Sequence, residues 1–242
     1  MSVSSDLASG CRQGVLAFGD SITNGGGGLQ WGVALQSWAL WMARGLGLAY
    51  TGYAVDGAGV QDVLAEQLPA HARRAADPQG RYQVGSLYIG VNDVRRLGWD
   101  AEAFGTAHWQ ALTAVVERSE RVLALTAPLG LGFFRDGAKV RTLNAVIAAN
   151  AAALGALIVD LSDFGARNQV MADRVHPTAF GQVAIAERAL AVLAADGLAT
   201  RVRPSSLIRY ETSWRGRLRS DLGYTYRSAR ELRRAWRSRR TR

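Results

Sequence analysis

Short apolar runs alternate along the chain with longer stretches of helical periodicity, and the alternation repeats five times. Buried strands are predicted at 15–18, 48–55, 84–89, 121–126 and 156–160. Helices are predicted at 31–46, 60–76, 101–119, 138–154 and 178–195, and Pro69 can interrupt the second of them. This alternation predicts a parallel sheet with helices on both faces, a three-layer α/β/α fold of the flavodoxin type with five strands.

Three of the predicted strands end in short turns that carry polar residues or glycine. The turns are Gly19-Asp20-Ser21, Asp56-Gly57-Ala58-Gly59 and Gly90-Val91-Asn92-Asp93. Right-handed crossovers place the carboxyl ends of parallel strands on one edge of the sheet, so Ser21, Gly57 and Asn92 are expected to converge there. Ligand crevices of open α/β sheets lie at that edge.

A serine hydroxyl at such an edge is a poor nucleophile until a base takes its proton. The base is usually an imidazole that a carboxylate orients. Of the three histidines, His71 is predicted to be a solvated residue near a helix end, and His108 to be packed or exposed within a helix. His176 follows Asp173 by three residues and precedes Pro177, so the Asp173 carboxylate can reach Nδ1 of His176. Alone, this pair is more typical of a helix cap with an incidental histidine.

Acyl transfer also needs preorganised hydrogen-bond donors for the oxyanion of its intermediate. The candidate donors are the backbone N–H groups of Ser21 and Gly57 and the side-chain amide of Asn92. A glycine lets the backbone approach a substrate closely, and an amide donates hydrogen bonds without bringing charge. Taken singly, Gly57 and Asn92 are also common turn formers.

Taken together and in this order, the three turns and the Asp173-Arg-Val-His176 segment resemble the SGNH hydrolase superfamily, also called GDSL esterases/lipases. The resemblance covers about residues 14–196 and is strongest at 18–23, 90–93 and 173–181. The second turn departs from the commoner family pattern, because Asp56 stands where a serine or asparagine is frequent.

The resemblance implies a mechanism and a set of roles. Ser21 attacks an ester carbonyl, His176 takes and returns the proton, and Asp173 orients His176. Ser21, Gly57 and Asn92 hold the oxyanion. The resemblance implies neither a metal nor an organic cofactor.

We therefore expect a serine esterase that acts on a small-molecule or lipid ester with a small or medium acyl chain, including an O-acetylated carbohydrate. An acyltransferase or thioesterase with the same residues is an alternative. Leu129, Leu131, Phe133 and Phe134 either line an acyl pocket or pack in the core.

Two other site types are excluded by pattern. The glycine run 25–28 matches neither the P-loop nor the dinucleotide-binding spacing, and Thr23 stands where the second glycine of a Gly-x-Ser-x-Gly elbow belongs. The run is interpreted instead as a flexible lip of the site.

The net charge of +9 is concentrated at the C-terminal end. Residues 1–200 hold 15 basic and 17 acidic side chains, whereas residues 201–242 hold 14 arginines and 3 acidic residues. We predict an SGNH hydrolase domain at 1–200 and an Arg-rich extension at 201–242 that is partly helical or disordered.

The extension is interpreted either as a solvated, partly disordered or folded-back tail, or as a segment that binds a partner. Ala229, Leu232, Ala235 and Trp236 can share one helical face among arginines, which suits an anionic membrane surface. A binding module acting through this tail is therefore the other functional alternative. Nucleic acid is the weaker partner, since no recognised binding motif accompanies the charge.

The remaining features predict a cytoplasmic protein, or one peripheral to a membrane through its tail. Residues 1–11 show neither the charged nor the apolar region of a secretory signal. No run approaches the ~20 apolar residues of a membrane span. Cys11 is the only cysteine, so it forms no internal disulfide and belongs to no metal-binding pattern.

Overall fold

A five-stranded parallel sheet forms the centre of the computed structural model, which describes residues 14–74, 80–132, 137–166, 168–210 and 212–240. The strands are β1 (Val15–Gly19), β2 (Tyr50–Gly52), β3 (Tyr82–Tyr88), β4 (Ser119–Leu125) and β5 (Leu157–Val159). Their order across the sheet is β2-β1-β3-β4-β5. The predicted fold class is confirmed, including the flavodoxin-type strand order.

The helices cover both faces of this sheet. They are α1 (Trp38–Leu46), α2 (Val60–Asp62), α3 (Leu68–Arg74), α4 (Ala101–Arg118), α5 (Gly137–Leu154), α6 (Ala179–Ala195) and α7 (Trp214–Arg240). Helices α1 and α6 pack together on one face, and α4 and α5 pack together on the other. All five residues of β1 are buried between these layers, as the unbroken apolar run predicts for a central parallel strand.

Two predicted elements are shorter than expected. The strand predicted at 48–55 is regular only over Tyr50–Gly52, at the edge of the sheet. The N–H groups of Tyr53 and Val55 still donate to β1 carbonyls, so the chain stays alongside β1 beyond the regular strand. The helix predicted from residue 31 begins at Trp38, where the Ser37 hydroxyl caps it by accepting a hydrogen bond from the Ala39 N–H at 3.1 Å. Trp31 has a φ of 50°, which a right-handed helix does not accommodate.

The helical segment before Pro69 contains a π-helical turn, Val63–Gln67, between α2 and α3. Within it the Leu68 N–H bonds to the Val63 carbonyl, one residue further back than in an α-helix. The break expected near Pro69 is therefore a change of helical pitch, and the chain continues as α3. Residues 75 and 76, the end of the predicted helix, lie outside the described residues.

The prediction of a solvated His71 is wrong. Its ring is buried against the aromatic rings of Phe18, Tyr53 and Tyr82, and Nε2 lies 3.3 Å from the Tyr82 hydroxyl. Burial lowers the pKa of His71. His108 is buried within α4, which is one of the two environments predicted for it. Burial lowers its pKa to about 4.

Two of the four residues weighed for an acyl pocket belong to the core. Leu131 is buried in the main apolar cluster and Leu129 packs against it. Phe133, Phe134 and Cys11 lie outside the described residues.

The Arg-rich extension is helical over part of its length, which is one of its two predicted states. Its residues Trp214–Arg240 form the 27-residue helix α7. A 3₁₀ turn, Pro204–Ser206, precedes it. None of the helices in the described ranges is both long enough and apolar enough to cross a membrane.

Truncating a core side chain should destabilise the fold strongly. Leu112 on α4 is fully buried, so Leu112→Ala should lower the free energy of unfolding by about 2–5 kcal/mol in urea titrations. Leu97, which is 85% exposed, is the control, and Leu97→Ala should change stability by less than about 0.5 kcal/mol. Equal losses in the two variants would contradict this assignment of the core.

Candidate active site

The turns singled out by sequence lie side by side at the carboxyl edge of the sheet. Because β1 pairs with β2 on one side and β3 on the other, the turns carrying Ser21, Gly57 and Asn92 are neighbours. The Asn92 amide donates a hydrogen bond to the Ala58 carbonyl at 3.0 Å, which ties the third turn to the second.

A second link ties the first turn to the second. The Asn24 amide donates to the Asp56 carboxylate at 2.9 Å, directly beside Gly57. Gly57 has a φ of 78°, a left-handed conformation that favours glycine, and a methyl group there would meet no neighbouring atom. Glycine is therefore favoured at position 57 by its backbone conformation and not by crowding. The space next to its Cα is open.

A continuous hydrogen-bond chain joins Ser21, His176 and Asp173. Ser21 Oγ lies 2.9 Å from Nε2 of His176, and Nδ1 of the same ring lies 2.7 Å from Oδ2 of Asp173. With the ring proton on Nδ1, the imidazole donates to the carboxylate and accepts from the serine hydroxyl. This arrangement can remove a proton from Ser21.

A strained turn brings Asp173 and His176 together. Oδ1 of Asp173 accepts the backbone N–H groups of Val175 at 2.9 Å and His176 at 3.1 Å. Arg174, between them, has a φ of 58°, a conformation that costs a non-glycine residue about 1–2 kcal/mol. The left-handed conformation of Arg174 therefore allows Asp173 to fold back toward His176. Its Oδ1 binds the two N–H groups, and its Oδ2 binds the imidazole ring.

This pairing shifts the pKa values of both groups. The hydrogen bond with Asp173 raises the pKa of His176 above its ordinary value of 6.5, although burial opposes the rise. Burial would raise the pKa of Asp173, but the hydrogen bonds from the His176 ring and from the Val175 and His176 N–H groups outweigh it and lower that pKa.

The glycine run 25–28 is held in place by backbone hydrogen bonds. The Gly26 N–H donates to the Ser21 carbonyl at 2.6 Å, and the Gly28 carbonyl accepts the Ala179 N–H at 2.9 Å. A Cβ on Gly27 would collide with the Pro177 carbonyl oxygen, so the run can lie against the His176 segment only without side chains. The glycine run, predicted to be a flexible lip of the site, is thus bonded to the segments that carry Ser21 and His176.

Two buried glutamines fasten the serine turn from opposite faces of the sheet. The Gln67 amide on the π turn pairs with both backbone groups of Gly19, accepting its N–H at 3.1 Å and donating to its carbonyl at 2.8 Å. Gln182 on α6 donates to the carbonyls of Ile22 and Gly26, both at 3.0 Å. These bonds fix the backbone on both sides of Ser21.

Asp20 and Asp93 are buried carboxyl groups beside the site. Burial raises the pKa of Asp20 to about 7, against the opposing effects of the Ile22 N–H bonded to Oδ1 and of nearby His176. Asp93 accepts the Val60 N–H at 3.0 Å and so fixes the start of α2 behind Gly57. Burial raises the pKa of Asp93 as well.

A cavity of about 360 Å³ lies beside the His176 segment. Its wall includes Ile22, Tyr88, Phe164, Val175 and Ile185, and Tyr224 of α7 completes it. The lining combines these apolar side chains with polar atoms, those of Arg174 among them, and it includes residues next to Ser21 and His176 in sequence. Across the described ranges, no group of three or more His, Cys, Asp or Glu side chains is placed to hold a metal ion.

Comparison with known proteins decides the family. Residues 17–184 match the model of the GDSL-like lipase/acylhydrolase family, which spans more than half of the chain. The chain belongs to that family. The expected resemblance is confirmed, and the protein is an enzyme that hydrolyses ester bonds. No curated protein matches the chain.

Solved structures of GDSL-type and related hydrolases have the same fold. An acetylxylan esterase from Geobacillus stearothermophilus has a TM-score of 0.57 and 19% identity, covering 76% of this chain and 95% of its own. An extracellular lipase from Streptomyces rimosus has a TM-score of 0.53 and 23% identity, covering 75% and 98%. At these identities the likeness supports the fold alone.

The sequence interpretation missed Gln67, Gln182 and the role of Asp93. One signal in the sequence could have pointed to the two glutamines. Each is a polar residue on the otherwise apolar, buried face of its helix. The partners of both amides lie far away along the chain, so pattern alone named none of them.

Removing the Gln67 amide should loosen the serine turn. In Gln67→Leu the buried Gly19 N–H loses its acceptor, while the Gly19 carbonyl keeps the bond from the Val55 N–H. The orphaned donor should cost about 2 kcal/mol of unfolding free energy and lower kcat more than it changes KM. Gln61→Leu, an exposed glutamine on α2, is the matched control. Identical urea midpoints and kcat values for the two variants would rule out this role.

Proposed function

We propose that the protein is a serine esterase in which Ser21, His176 and Asp173 form the catalytic triad. The observation that carries the proposal is the unbroken hydrogen-bond chain from Ser21 Oγ through the imidazole to Asp173. Family membership supports it, since ester hydrolysis through an acyl-enzyme needs an activated nucleophile and Ser21 lies at the expected edge of the sheet.

In the proposed reaction Ser21 Oγ bonds to the ester carbonyl carbon as His176 Nε2 takes the hydroxyl proton. The tetrahedral intermediate collapses, the C–O bond to the alcohol breaks, and His176 returns the proton to the leaving oxygen. Water then attacks the acyl-enzyme with the same base, and the carboxylic acid leaves as Ser21 regains its proton. Asp173 holds the imidazole in the required tautomer and stabilises the imidazolium.

We assign the oxyanion to the backbone N–H groups of Ser21 and Gly57 and the amide of Asn92. The hydrogen bond from Asn92 to Ala58 uses one amide hydrogen, so the second is available. The left-handed backbone and open surroundings of Gly57 favour close approach of a substrate oxygen.

The substrate we propose is a carboxylic ester with a small or medium acyl chain. Similar structures include an acetylxylan esterase and a lipase, which supports both acetylated carbohydrate and lipid esters as test substrates. The cavity beside His176 offers apolar side chains together with polar atoms, which is compatible with either kind of ester.

We further propose that residues 1–200 act as the hydrolase domain and that residues 201–242 bind an anionic membrane surface, which would make the enzyme peripheral to a membrane. The excess of arginine in this extension supports the assignment, since basic amphipathic helices bind acidic lipid.

Loss of either proton-transfer partner should abolish turnover. Ser21→Ala and His176→Ala should each reduce kcat for p-nitrophenyl acetate by about 10⁴-fold or more, with far-ultraviolet circular dichroism unchanged. Ser205→Ala removes an exposed serine hydroxyl and should keep full activity. A fluorophosphonate probe should label the wild type and Ser205→Ala but not Ser21→Ala; full turnover by Ser21→Ala would refute the assignment.

The pH dependence should report the His176 pKa. The imidazole must be neutral to accept the Ser21 proton, so kcat/KM should rise with pH with a midpoint above 6.5. Asp173→Ala should shift the midpoint down and lower the rate. Because folding raises the His176 pKa, its stabilising effect is complete below pH 6.5 and is lost as pH rises through the folded pKa. An unmoved midpoint in Asp173→Ala would contradict the coupling.

A further inference from the structure

Helix α7 contacts segments near the proposed catalytic residues through its more polar side. Among the residues of this helix whose burial the structure describes, the half-buried ones are Gly216, Arg217, Ser220, Asp221, Gly223 and Tyr224. The Arg217 guanidinium stacks 5.2 Å from the ring centre of Trp31, at the end of the glycine-rich loop, and Tyr224 lines the cavity beside the His176 segment. The helix therefore contacts the end of the glycine-rich loop and the wall of the cavity beside the His176 segment.

The opposite side of α7 presents large apolar side chains to solvent. Trp214 is 69% exposed, Leu222 63% and Tyr226 71%, and Leu218 and Leu232 are exposed as well. The first four follow one another at four-residue intervals, so they form a slowly turning stripe along one side of the helix. We name Trp214, Leu218, Leu222 and Tyr226 the outer stripe. This amphipathicity is inverted, since a helix packed on a core ordinarily buries its apolar side.

Positive charge surrounds the outer stripe. Helix α7 carries ten arginines and two acidic residues, and Arg215, Arg219 and Arg233 are exposed beside the stripe. Two copies of this helix would repel each other, whereas an anionic bilayer offers both an apolar layer for the stripe and negative headgroups for the arginines. At 27 residues the helix can lie along about 40 Å of such a surface.

We propose that the outer stripe is a docking face that inserts into the headgroup region of an anionic bilayer and so brings the catalytic edge to esters in that bilayer. The second half of this statement rests on the proposed esterase function. Because the inner side of α7 contacts the glycine-rich loop and the cavity, docking through the outer side places the Ser21 edge next to the lipid surface. The substrate class that follows is an ester of a membrane lipid.

The test compares the full-length wild type with Trp214→Ser/Leu218→Ser/Leu222→Ser. In co-sedimentation with vesicles of phosphatidylcholine and phosphatidylglycerol, the triple variant should bind on the order of tenfold more weakly or worse. Wild-type binding should fall with added salt and be weak on pure phosphatidylcholine. Trp109→Ser, which removes an exposed tryptophan on α4, is the control and should bind as the wild type does.

Activity separates this proposal from the esterase assignment. All of these variants should hydrolyse soluble p-nitrophenyl acetate at the wild-type rate, while hydrolysis of a lipid ester embedded in the anionic vesicles should fall in the triple variant. Undiminished vesicle binding by the triple variant would overturn the docking face and leave the esterase intact. Equal binding of wild type and triple variant to RNA and to vesicles would instead indicate a surface that attracts polyanions by charge alone, and a wild type that dimerises through the stripe would also refute the proposal.

Discussion

The position of β1 between its two parallel neighbours, β2 and β3, is the constraint on which the site depends. Its pairing with β2 and β3 puts three successive strand ends next to one another. Ser21, Gly57 and Asn92 come from segments dozens of residues apart, yet the sheet leaves them no other arrangement. The His176 segment then needs to supply only the base and its carboxylate, which a single turn around Arg174 provides.

The strand positions and the edge of the sheet could be predicted because each depends on local pattern. Apolar runs mark buried strands, and the crossover rule aligns their ends. The start of α1 could not be predicted in this way, because the apolar spacing from Trp31 to Met42 is that of a helix. The Ser37 cap and the left-handed conformation of Trp31 determine where the helix begins. His71 was misplaced for a similar reason, because its arginine neighbours in sequence say nothing of the aromatic rings that enclose it.

What sequence could not provide was the support behind the reactive groups. Gln67 and Gln182 hold backbone atoms 48 and 160 residues away, and a helix with one buried amide looks much like any other. The inverted face of α7 was equally hidden: composition predicts a basic helix with apolar residues, but only packing reveals that the apolar side points away from the body.

The π turn at Val63–Gln67 has a consequence for how this chain tolerates changes in length. A π turn corresponds to a regular helix with one residue inserted. Deleting the extra residue would restore α-helical pitch and leave the flanking turns where they are, because the wide turn already absorbs that residue. His71 would keep its aromatic enclosure, but the wide turn that presents the Gln67 amide to Gly19 would be lost. The length of this short segment is thus bound to the position of the serine, although it contains no residue that reacts.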